Sequence, residues 1–131
     1  MIAFMKDLAN YIDTLDIPMP LQIELLNTEE TVALVSAPGG QTLRKYFDGA
    51  TDKRLQYDFC IKTKDTVRAL KTLETIANAL VSLDVLNTEA EAYEFLNITV
   101  SNEAFFTEAT EDGYYYYQLT IHADLTILKN E

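Results

Sequence analysis

At 131 residues, 48% of them apolar and 24% charged, the chain has the size and balance of one globular domain rather than of a disordered segment. Its net charge of −11 sets it against duplex nucleic acid and anionic membrane surfaces, both of which repel it at long range. A single cysteine, Cys60, excludes an internal disulfide and fits a reducing interior. No apolar run approaches the roughly 20 residues that span a bilayer, and the acids within "MIAFMKDLANYIDTL" argue against a secretory leader.

In chain order, Ile2, Met5, Leu8, Ile12 and Leu15 recur at helical spacing, widened by Phe4 and Tyr11. "DIPMP" stops that helix, because proline lacks a backbone donor and restricts the residue before it. "LQIELL" alternates, with Leu21, Ile23 and Leu25 on one face, and "TVALVS" predicts a second strand after the turn residues "NTEE". Residues 37–53, "APGGQTLRKYFDGATDK", are punctuated by Pro38-Gly39-Gly40 and Asp48-Gly49. They predict a long flexible loop or a loosely paired arm.

"RLQYDFCIKTK" is a clean strand. Leu55, Tyr57, Phe59 and Ile61 face one way, and Arg54, Gln56, Asp58, Cys60 and Lys62 the other. One buried and one wet face marks an antiparallel sheet. Asp65 is placed to cap a helix over 66–83. Val67, Leu70, Leu73, Ile76, Ala77 and Leu80 are expected to form its buried stripe. "FLNITVSN" alternates again, with Leu96, Ile98 and Val100 together, and "EAFFTEATEDG" predicts a connection carrying two aromatics. Residues 114–128 then alternate without a slip. The order helix, two strands, loop, strand, helix, strand, strand predicts an α+β fold of one domain, residues 1–131. Its sheet is expected to have four or five mostly antiparallel strands, with both helices on one face.

The run Tyr114–Tyr117 is therefore divided between faces. Tyr115 and Tyr117 begin the apolar stripe, and Tyr114 and Tyr116 begin the polar one. A base-stacking platform needs cations for phosphates, whereas the neighbours here are Glu108, Glu111, Asp112 and Asp124. An exposed Tyr114/Tyr116 pair suits a protein contact instead. Charge is also segregated: residues 44–71 carry eight bases and four acids, whereas residues 72–131 carry one base and eleven acids. Unlike patches of this kind set register and partner choice.

The residues for bond-making chemistry are sparse. His122 lies mid-strand on the polar face, away from a nucleophile at its own spacing. Too few His and Cys exist for a zinc site, and no carboxylate run has calcium-loop spacing. "APGGQT" lacks the lysine of a phosphate loop. No cofactor or metal is expected.

The stretch "KYFDGATDKRLQYDFCIKTKDTVRALKTLETIANAL" resembles the small tailed-bacteriophage proteins known as minor capsid, tail terminator, tail-completion or head–tail joining proteins. An aromatic-Asp-Gly turn leads into a strand ending "IKTKD", and a helix follows directly. "EFLNITVSNEAFFTEATEDGYYYYQLTIHADL" agrees, so the resemblance spans about residues 43–128. It implies a non-enzymatic virion protein at the head–tail junction, made in the cytoplasm of a host bacterium. Such proteins form a ring, commonly a hexamer, on the head-proximal end of the tail tube. The ring stops tube growth and offers a face to the head connector or stopper. DNA passes through without specific binding, and no membrane is involved. The family supplies no list of functional residues.

From charge and aromatic character, Arg44, Lys45, Tyr46, Phe47, Lys53 and Arg54, together with Tyr114 and Tyr116, are the candidates for self-assembly or partner contact. Two other readings use different residues. A small-ligand-binding or regulatory domain would line a pocket with Phe105, Phe106, Tyr114 and Tyr116. A hydrolase or transferase would use Glu108, Glu111 and Asp112.

Overall fold

Residues 2–24, 30–84, 86 and 93–128 are described by a computed structural model. The predicted α+β architecture is present. In chain order it comprises α1 (Ile2–Asp13), β1 (Leu21–Ile23), β2 (Thr31–Lys45), β3 (Thr51–Thr63), α2 (Thr66–Val81), β4 (Tyr93–Ala109) and β5 (Tyr115–Ile127). Among the described residues the strands form one sheet in the order β1-β2-β3-β5-β4. β1 pairs in parallel with Val32–Leu34 of β2, and every other pairing is antiparallel.

The strict alternation of β3 and β5 explains why they sit at the centre. Their registers match without a slip from Thr51↔Ile127 to Thr63↔Tyr115. Tyr57, Phe59 and Ile61 therefore share a face with Leu119, Ile121, Ala123 and Leu125. Both helices cover that face. From α1 come Phe4, Leu8 and Ile12; from α2 come Leu73, Ile76 and Leu80, all fully buried in one cluster. Phe4 holds two strands at once, with its ring 5.4 Å from Tyr57 and 5.6 Å edge-on to Tyr93. The Tyr93 hydroxyl donates to Asp7 Oδ2 at 2.6 Å, tying β4 back to α1.

Asp65 caps α2 as its side chain predicts, accepting from the Val67 and Arg68 amides at 3.1 Å. The buried stripe of α2 is turned from the expected one. Val67 and Leu70 are 58% and 41% exposed, and Ala69 and Thr72 are buried in their place. Side-chain bonds tie the helix to the N-terminal segment: the Arg68 guanidinium donates to the Pro18 carbonyl at 2.6 Å and the Tyr11 hydroxyl to the Ala79 carbonyl. Ile2 is likewise exposed, one turn too early to reach the sheet. Leu25 lies outside the described residues.

Of the two readings of residues 37–53, the paired arm holds and the flexible loop does not. β2 continues to Lys45 and β3 begins at Thr51, leaving a turn of five residues, 46–50. Ala37 pairs with Gln56 and Gln41 with Arg54, so Pro38, Gly39 and Gly40 together oppose the single residue Leu55. Pro-Gly-Gly here makes a bulge rather than a chain reversal. Proline needs no ladder donor there, and Gly39 supplies a φ of +113°. A Cβ on Gly40 would stand 2.9 Å from the Arg54 carbonyl oxygen. A second shift bulges Leu43 outward.

The expected connection "EAFFTEATEDG" is likewise mostly strand, since β4 runs to Ala109. Four register shifts let it do so, and the first displaces Leu96, which is exposed while Ile98 is buried. Bulges of this density blunt an edge strand against uncontrolled pairing.

Candidate functional site

The face of the sheet away from the helices is polar, and its side chains answer one another across β3 and β5. Successive rows pair Asp52 with Thr126, Arg54 with Asp124, Gln56 with His122, Asp58 with Thr120, and Cys60 with Gln118. Their contacts are 2.6 Å, 2.8 Å, 3.1 Å, 2.7 Å and 4.0 Å. Arg54 and Asp124 meet in a two-pronged bond, with the second prong at 3.1 Å and the Asp124 side chain only 14% exposed. The bond to Asp124 raises the Arg54 guanidinium further above its ordinary value. Arg54 is thus committed within its own chain.

Cys60 is equally inert. Burial first, and then the charge of Asp58, push its thiol up to about 11. The reactive thiolate is scarce at neutral pH. Iodoacetamide at a pH of about 8 is expected to modify the native protein roughly tenfold or more slowly than the urea-unfolded chain. Equal rates would contradict the placement of Cys60 in this ladder.

The eight candidate contact residues fall into two groups at opposite ends of the sheet. The twelve steps along the 13 residues of β3, at about 3.3 Å each, put the ends about 40 Å apart. At one end is the β2–β3 arm. Its turn is closed by the Tyr46 amide to the Ala50 carbonyl at 2.9 Å and the Gly49 amide to the Tyr46 carbonyl at 3.1 Å. Asp48 Oδ1 accepts from the Ala50 amide, and Gly49 takes φ +92°.

The Tyr46 hydroxyl donates to Asp52 at 2.7 Å, with the Arg44 guanidinium 6.0 Å over its ring. The hydroxyls of Thr126 and then Tyr46 hold the Asp52 carboxyl below its ordinary value, and the same bond raises Tyr46. Phe47 at the tip is fully exposed. By register, Arg44 and Arg54 lie on the open face, and Lys45 and Lys53 on the helix side. The four cations therefore do not form one patch.

At the other end is the β4–β5 hairpin. Gly113, at φ +90°, and the Thr110 amide bound to the Tyr114 carbonyl at 2.8 Å make its turn. Lys62 Nζ and Lys64 Nζ lie 4.4 Å and 4.9 Å from the Tyr114 ring, so Tyr114 is held by cations of its own chain. Tyr116 stands between Lys62 and Glu108 by register. Tyr117 packs edge-on against Phe106 at 5.7 Å. Tyr115 is exposed, because the sheet here reaches past the helices.

Phe105 pairs with Gln118 on the open face, which Tyr114 and Tyr116 share, whereas Phe106 pairs with Tyr117 on the helix side, so the four proposed pocket residues are divided between the two faces. An open groove of about 400 Å³ lies instead beside α2, between Asp16, Pro18, Asp65 and Lys71. Its Arg68 is engaged by Pro18 and, at 3.4 Å, by Glu30. Glu108, Glu111 and Asp112 are exposed. Asp112 accepts from the Thr110 hydroxyl, which with Lys62 and Lys64 lowers its carboxyl. Among the described residues no group of His, Cys, Asp and Glu is placed to hold a metal, and no helix is long and apolar enough to cross a membrane.

Sequence reasoning missed the cross-strand ladder and the exposed Leu43. The alternation of β3 and β5 held the signal for the first, but it needed their register.

Among solved structures, the fold is similar to that of a chain from the virion of a native gene transfer agent particle. The TM-score is 0.61 at 12% identity, covering 95% of this chain and 92% of that one. The likeness is one of fold. No family model matches the sequence, and no curated protein does.

Proposed function

We propose that this chain is a non-enzymatic structural subunit of a phage-like virion, a tail terminator or head–tail joining protein. Copies form a ring on the head-proximal end of the tail tube. The ring stops tube growth and presents a face to the head connector. The observation that carries this reading is the fold likeness to a chain of a gene transfer agent virion over almost the whole of both chains. The pattern in residues 43–128 agrees. So does the polar face, whose ionisable groups are spent on one another rather than aimed at a substrate. A net charge of −11 lets DNA pass a ring without adhering to it.

The test is to add the purified chain to polymerised tail tubes and image them by negative-stain electron microscopy. The expected result is density at one tube end and no further elongation when tube protein is supplied. Bare ends with unchanged elongation would overturn the proposal.

A further inference from the structure

The arm and the β4–β5 hairpin share an unusual property. Each carries large apolar side chains in water, beside charge of one dominant sign. On the arm these are Phe47 and Leu43, with Lys45 and Lys53, which have no ion-pair partner among the described residues. At the hairpin Phe106 and Tyr115 lie on the helix side, Phe105 and Glu108 on the open face and Glu103 in the bulge before Phe105; Glu103 and Glu108 are likewise unpaired among the described residues. Lys62 and Lys64 offset part of the hairpin's charge, but they do so around Tyr114 and Asp112.

We propose that the arm of one copy seats on the β4–β5 hairpin of a second copy, aromatic against aromatic, with lysines toward glutamates. This rests on the ring reading above and names the contact that would build it. The two elements lie at opposite ends of the strands, on opposite sides of the central pair β3 and β5. A copy cannot satisfy both from itself. Arm-to-arm pairing would set cation against cation, whereas arm-to-hairpin pairing joins unlike surfaces and is heterologous. Such a contact closes into a ring when the rotation between successive copies closes. Backbone pairing between edges is disfavoured by Pro38 and the bulges of β2 and β4, so side chains make the contact. Arg54 and Tyr114, both engaged within their own chain, take no part.

The test uses two variants of the full chain, Lys45→Glu with Lys53→Glu, and Glu103→Lys with Glu108→Lys. Circular dichroism and thermal melting first establish that each is folded. In light scattering each variant alone is expected to associate at least tenfold more weakly than wild type. An equimolar mixture is expected to recover association, because each arm then meets a hairpin of opposite sign. Variants that assemble like wild type, or a mixture that fails to recover, would overturn this contact and leave the ring reading standing. A wild type that remains at 14.8 kDa at every concentration, with and without tail tubes, would overturn both.

Discussion

Replacing Phe4 by alanine is expected to cost about 3–5 kcal/mol of unfolding free energy, read from urea titration. The ring is fully buried and touches both Tyr57 of β3 and Tyr93 of β4. Its removal leaves a void between a helix and two strands that belong to different hairpins, and neither hairpin can move alone to fill it. The Tyr93–Asp7 bond depends on the same seating of α1, so it weakens with it. A loss under about 1 kcal/mol would show that α1 is not an integral part of the core.

Gly40→Val is expected to act in a different place. Its Cβ would come within 2.9 Å of the Arg54 carbonyl oxygen and 3.6 Å of Leu55 Cα, both backbone atoms that cannot rotate away. Overpacking of this kind costs about 1–3 kcal/mol. Here it falls on the bulge that lets β2 continue into the arm. Hydrogen exchange is expected to quicken across Gln41–Arg54 while Leu119–Leu125 stays protected. Self-association is expected to fall with the arm's order. Unchanged exchange in the arm would mean that the bulge does not depend on a glycine at position 40.

These two residues show what could be read from the chain. Phe4 lies in a helical stripe, and the alternation of β3 and β5 gives their buried faces directly, so the core was legible. Asp65 was legible as a cap because capping is local. The arm was not. Pro-Gly-Gly supports either a turn or a bulge, and only pairing with Leu55 decides between them. Four slips in β4 disguised a strand as a connection in the same way. The turned stripe of α2 goes with bonds from Arg68 to Pro18 and Glu30, distant residues that no helical pattern contains. For the candidate contacts, exposure of Phe47 followed from the turn. The capture of Arg54 by Asp124 and of Tyr114 by Lys62 and Lys64 needed the register of strands far apart in sequence.

The proposed action of this molecule is to join copies of itself. Sedimentation across a wide concentration range, with and without tail tubes, tests that most directly. The expected result is a shift from 14.8 kDa to a defined multiple, promoted by tubes and weakened by salt. A single species of 14.8 kDa under every condition would contradict it.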